Sequence, residues 1–320
     1  MKKLWTAAVA LLALFTAGAH ASCGSAFCTV NTGWDVHGGL ASPGSTLDLR
    51  YEAITQDQPR NGSTKVGVGQ IRRHHDEVST KNRNLVGTYD TTFNADWGLS
   101  VSAPLVDRQH GHIHNHNGGR IPEAWDFRAL GDVRAVARYR LASHESREHG
   151  ETGASGLLFG VKLPTGRINL RNAAGDLAER TLQPGTGTTD AIVGAYTARA
   201  LPMRDLSWFA QAQFQAAVNA RDQYRPGRRL SVDGGLRYDL GDAWSLLLQA
   251  NLLVRGRDAG RNAEPDDSGG TALFLSPGVA WSATRDLRVY AHLQLPLYQY
   301  VNGVQLTAAR AAVVGVGARF

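Results

Sequence analysis

Cysteine is scarce in this chain: of 320 residues only Cys23 and Cys28 are cysteines, both in the segment SCGSAFC. Two thiols cannot hold together a disulfide-built scaffold. Their spacing is not the C-x-x-C of a thioredoxin-like redox site, and no βαβ pattern surrounds them. Long apolar runs are also missing beyond the extreme N-terminus. A membrane-spanning helix needs about 18 to 20 consecutive apolar residues, so a helical membrane protein is excluded. No G-x-S-x-G occurs and no motif supports a serine partner for the histidines, which leaves no sequence basis for an enzyme. The formal net charge of +6 comes with dispersed arginines rather than a basic helix or a recognisable binding module. Nucleic acid is therefore not an expected partner.

What is present begins with Lys2 and Lys3, an apolar run from Leu4 to Thr16, and then Ala19-His20-Ala21. That is the layout of a signal peptide, so residues 1–21 are expected to be removed on export. Cys23 raises a lipoprotein alternative, but His20 stands where a lipobox takes an aliphatic residue. In an oxidising compartment, Cys23 and Cys28 are expected to close a small disulfide loop. Residues 22–44 show no clear strand and read as either a periplasmic tail or a small plug, with Trp34 exposed in the first case and packed in the second.

From residue 45 onward the dominant signal has a period of two. In the final AAVVGVGARF, residues Ala312, Val314, Val316 and Ala318 share the face of Phe320, while Gly315, Gly317 and Arg319 face the other way. Apolar on one face and small or polar on the other is what a lipid-facing barrel strand requires. The ending resembles the C-terminal signature of bacterial outer-membrane β-barrels, which implies a role for Phe320 in membrane assembly and the barrel assembly machinery as a partner. Twelve alternating segments of roughly this kind can be traced. They run near 45–55, 82–93, 97–106, 132–142, 154–164, 189–200, 207–219, 228–240, 243–255, 271–283, 286–297 and 305–320.

The gaps between these segments alternate in length. Asn94-Ala95-Asp96, Gly241-Asp242 and Thr284-Arg285 are tight turns, whereas the connections after the first, third, fifth and ninth segments are long. Long loops on one side and short turns on the other mark a barrel of the outer membrane. Two connections strain the pattern: 143–153 is long for a periplasmic turn, and 220–227 is short for an extracellular loop. A soluble β-sandwich also alternates. The loop asymmetry and the placement of Trp97, Trp208, Trp244 and Trp281 near short-turn ends, as in an aromatic girdle, favour the membrane. The expected fold is all-β: a transmembrane antiparallel up-and-down β-barrel of about twelve strands over 45–320, lying in the lipid bilayer of the bacterial outer membrane.

The segments NADWGLSVSAPL (94–105), LGDVRAVARYRL (130–141), GVKLPTGR (160–167) and PGTGTTDAIVGAY (184–196) occur in that order along the barrel pattern. Taken together, the chain resembles the MetA-pathway-of-phenol-degradation family of outer-membrane transporters. The resemblance implies passage of small solutes, with aromatic compounds suggested by the family name. Physically, Pro164, Gly166, Gly185, Gly187 and Asp190 read as architectural, serving strand exit, turns and close backbone approach.

Two constellations carry candidate chemistry. Arg134, Arg138, Arg140, Lys162, Arg229, Arg237, Arg255 and Arg288 fall on the face expected to point into the lumen. They form either a rigidifying salt-bridge network with acids such as Asp90, Asp233 and Asp239, or a positive path that favours anions. His74 and His75 in IRRHHDE, and His110, His112, His114 and His116 in QHGHIHNHNGG, fall in expected extracellular loops. Alternating imidazoles in an extended segment share a face and can converge on Zn²⁺, Cu²⁺ or Ni²⁺, with Asp76 or Glu77 completing a site. The plainer reading is polar loop histidine. No cofactor is required by either reading.

Overall fold

The computed structural model describes residues 29–33, 43–116, 118–146 and 150–320. The expected signal peptide, Cys23, Cys28 and Trp34 lie outside them. The strands are β1 (Gly44–Gly62), β2 (Thr64–Lys65), β3 (His75–Thr92), β4 (Trp97–His116), β5 (Gly119–Leu130), β6 (Arg134–Ser146) and β7 (Glu151–Lys162). They continue with β8 (Asp190–Leu201), β9 (Leu206–Ala217), β10 (Arg229–Leu240), β11 (Trp244–Arg255), β12 (Gly270–Ser282) and β13 (Leu287–Arg319). Neighbours pair antiparallel in chain order, and β13 also pairs with β1, which closes the sheet. Eleven strands form this ring, with β2 and β5 outside it.

β13 counts twice in the wall. Its first half pairs with β12 and its second with β1. The bend falls at Gly303, whose φ of 60° is the left-handed conformation glycine adopts without a steric penalty. The two halves then lie side by side: Arg319 N–H donates to the Asp286 carbonyl at 2.8 Å. The ring therefore makes twelve passes. Closure joins the two ends of the barrel, since Ser45 and Phe320 exchange backbone hydrogen bonds of 3.0 and 2.9 Å. Among the described residues, no strand of the ring leaves an unpaired edge in lipid.

The apolar face of the strands points outward. Leu47, Leu49, Phe159, Val161, Leu246, Leu248, Leu293, Leu295, Val314 and Val316 are all exposed, while Glu52, Asn84, Gln249, Asn251 and Ser276 are buried. This inverts the order of a soluble sandwich and matches a lipid-facing wall around a polar interior. Trp97 packs against Tyr139 and Phe159, and Trp244 stacks on Trp281 across the β11–β12 pair, all at the short-turn rim. No helix among the described residues is long and apolar enough to cross a membrane.

Two expectations need correction. The pairing of β6 with β7 continues to Ser146–Glu151, so the turn expected to be long is short. Five of the six histidines are on strands, not loops: His75 opens β3 and His110, His112, His114 and His116 lie on β4, while His74 precedes β3. About ten tilted residues cross a bilayer, so β4, counted from the rim residue Trp97, leaves it near residue 107 and continues above it. β5 pairs with that projecting half, Leu105 opposite Leu130 through His116 opposite Gly119. Polar side chains hid these extensions, because outside lipid neither face of a strand has to be apolar.

Candidate functional site

Inward side chains enclose a cavity of about 580 Å³ in the short-turn half of the barrel. Period-two alternation puts Asp48 and Arg50 of β1, Arg134 and Arg138 of β6, and Arg229, Ser231 and Asp233 of β10 on its wall. Among the described residues, eight arginines line it (Arg50, Arg134, Arg138, Arg229, Arg237, Arg285, Arg288 and Arg319) against four aspartates (Asp48, Asp90, Asp233 and Asp286). Several arginines have acidic partners. Arg237 Nε lies 2.5 Å from Asp239 Oδ1, and Arg138 lies 3.6 Å from Asp90 Oδ1. Others hydrogen-bond to neutral groups: Arg134 donates to Gln213 Oε1 at 3.3 Å, and Arg229 to Ser231 Oγ at 3.3 Å. A surplus of positive charge in a low-dielectric wall focuses anions.

Residues 29–33 run through this cavity. The Gln249 side chain acts toward them as a strand would: Asn31 N–H donates to Gln249 Oε1 at 3.0 Å, and Gln249 Nε2 donates to the Asn31 carbonyl at 2.8 Å. Gln294 Nε2 donates to Thr29 Oγ1 at 2.5 Å, and Val30 is buried with Ile54, Phe209, Leu247 and Tyr290. Arg50 and Arg319 were not among the candidate residues, and residues 29–33 belong to the 22–44 segment that the sequence left as either tail or plug. Arg50 was legible, because it alternates with Leu49 and Tyr51; the inserted segment had no such signal.

Lys162 and Arg255, grouped with the lumen arginines by sequence, do not line the cavity. Lys162 is buried where β7 ends and donates to Asp132 Oδ2 at 2.9 Å, to Thr186 Oγ1 and to the Thr188 carbonyl at 3.0 Å, with Asp190 Oδ1 at 3.2 Å. Asp132 also accepts from the backbone N–H of Gly166 and Thr186. A Cβ on Gly166 would come within 2.7 Å of the Gly185 Cα and 2.8 Å of the Gly131 carbonyl carbon, so only bare backbone fits there. Three of the four segments that carried the family resemblance thus meet in one knot at the base of the 163–189 connection. Arg255 grips Asp258 at 2.7 and 2.8 Å under the loop 256–269. Arg140 hydrogen-bonds with Tyr196, also away from the cavity.

The histidines gather above the membrane belt. β3–β4 register sets His75 opposite His114 and Glu77 opposite His112. His75, His110 and His112 are buried; His116 is exposed, its ring 5.9 Å from that of His114 between centroids. Burial holds the rings neutral, lowering His75 to about 4 with help from His114, and His110 to about 3 with help from Arg108. Burial, Glu123 and Asp267 raise the Glu179 carboxyl to about 8. Three groups of donor atoms each fall within 4.8 Å of one another: His74–His75–His114, His75–His112–Glu179 and Glu77–His110–His112. Such sets suit Zn²⁺, Cu²⁺ or Ni²⁺.

Residues 85–311 match the model of a family described as "Putative MetA-pathway of phenol degradation". No curated protein matches the chain. Among solved structures, the COG4313 outer membrane channel from Pseudomonas putida F1 is similar over 91% of this chain and 100% of its own, at 12% identity and a TM-score of 0.66. The translocator domain of the autotransporter NalP from Neisseria meningitidis is similar over 88% and 90%, at 10% identity and a TM-score of 0.43.

Proposed function

The chain belongs to the family described as "Putative MetA-pathway of phenol degradation", and from that premise we propose that it is an outer-membrane channel for small organic anions, aromatic carboxylates among them. The observation that carries this reading is the cavity lined by eight arginines against four aspartates. A guanidinium with neutral partners keeps donors for a passing carboxylate, and a planar fork is suited to it. Arg134, Arg229 and Arg288 are the residues assigned to this path, with Arg138 and Arg237 held back by their own aspartates. Residues 29–33 narrow the same path, so small solutes pass and large ones do not. The similar barrel from Pseudomonas putida, an outer membrane channel, supports the class. The function is passage and not catalysis. The barrel assembly machinery is the partner that inserts it.

Two measurements test the reading. Planar bilayers under a salt gradient give a reversal potential of the sign that favours anions; cation preference or no conductance refutes it. Liposomes loaded by uptake of an aromatic acid, a neutral aromatic and a metal ion should favour the acid.

A further inference from the structure

The histidines above the barrel take no part in that path. His74 immediately precedes β3, His75 is its first residue, and His114 faces His75 from β4. Their nitrogens converge: His75 Nε2 lies 3.0 Å from His114 Nδ1 and 3.2 Å from His74 Nδ1. An imidazole nitrogen carries one hydrogen or one lone pair, so His75 Nε2 can serve one of these neighbours by hydrogen bonding and not both. A metal ion serves all three. Tetrahedral Zn²⁺ with Zn–N of about 2.0–2.1 Å sets its ligand nitrogens about 3.3 Å apart, close to the spacings found here.

The ring behind the site is also oriented for ligation. The other nitrogen of His75, Nδ1, lies 3.0 Å from Glu179 Oε1. An ionised carboxylate in that position favours a hydrogen on Nδ1, which leaves the Nε2 lone pair for a metal. Glu123 adds negative charge, with Oε1 3.8 Å from His114 Nδ1. The neighbouring set differs. Thr80, His110, His112 and Glu123 form a linear chain of contacts at 2.9, 3.2 and 3.0 Å, in place of several nitrogens gathered around one point. His74 and His114 are only partly buried, which leaves a side open for an incoming ion and for a fourth ligand from solvent.

We propose that His74 Nδ1, His75 Nε2 and His114 Nδ1 form a divalent transition-metal site on the extracellular extension of β3 and β4, oriented by Glu179 from the 163–189 connection. The site does not depend on the channel reading. The test is isothermal titration of the refolded, chelator-stripped full chain with zinc chloride. One saturable ion is expected, retained by a Cys23→Ser/Cys28→Ser variant and by His110→Ala. Binding should be lost in His75→Ala and His114→Ala. Glu179→Gln, a positioning change, should weaken it by about 10- to 100-fold. Heat-modifiable gel mobility checks that each variant is folded. If His75→Ala does not fold, the partly exposed His74→Ala and His114→Ala carry the test, with X-ray absorption on the wild-type zinc complex reading three imidazole ligands. No saturable zinc in wild type, binding unchanged by His74→Ala and His114→Ala, or loss of binding on removing the cysteines overturns the proposal.

Discussion

Lys162 and Arg134 sit opposite each other in the β6–β7 register, yet their surroundings make them different objects. Lys162 has two carboxylates, two threonines and a backbone carbonyl around one ammonium, all buried except the half-buried Thr186. Arg134 borders the cavity and donates to a glutamine. A cation whose partners are complete and dry is glue, because removing it strands its carboxylates in low dielectric. A cation with neutral partners beside a cavity is available to a ligand. Position on a strand face does not separate the two; the loop that returns to cover one of them does.

Stability is where this contrast is most exposed to failure. Lys162→Met should cost on the order of 3–5 kcal/mol, the usual consequence of breaking a buried ion pair from one side. Urea unfolding followed by tryptophan fluorescence reads it. The double change Arg134→Ser/Arg229→Ser should leave the midpoint in place, and equal destabilisation by both would abolish the distinction. Next in size is selectivity. Arg134→Glu/Arg229→Glu should reverse the sign of the reversal potential under a salt gradient, while Arg255→Gln should leave the sign as in wild type.

A third expectation concerns the segment in the lumen. Deleting residues 22–33 removes the bonds to Gln249 and Gln294 and should raise single-channel conductance, by at least about twofold if the segment fills the narrowest part of the path. Unchanged conductance would mean that solutes pass beside it. The smallest effect is at the seam. Phe320 is exposed on the lipid side while its backbone bonds Ser45, so Phe320→Ala should lower the yield of inserted barrel without moving the reversal potential of the barrels that do insert.

Much of the wall was legible in the sequence, and the reason is local. Apolar residues two apart can share a surface in lipid only as a strand, so Leu157, Phe159, Val161 and Leu163 announce β7 without reference to anything else. The tight turns and the rim tryptophans followed from the same reading. β5 and the upper halves of β3 and β4 were missed as strands because they stand above the lipid, where alternation carries no apolar signal. The histidines on them were visible as residues that could converge. Which of the six do so depends on the β3–β4 register, and His116 falls out because it faces solvent near the tip.

Solvent, strand period, the twelve passes and the closing partner of the last strand are all written in the chain, because each follows from short-range alternation and from the cost of leaving backbone unpaired in lipid. Three-dimensional packing was needed to sort the inward cations into glue and cavity lining, to bring particular imidazoles together at His75, and to thread residues 29–33 through the barrel. Those outcomes depend on contacts between residues distant in the chain, such as Asn31 with Gln249 and Asp132 with Thr186. Such contacts are fixed by register and loop path, and neither leaves a periodic trace in the sequence.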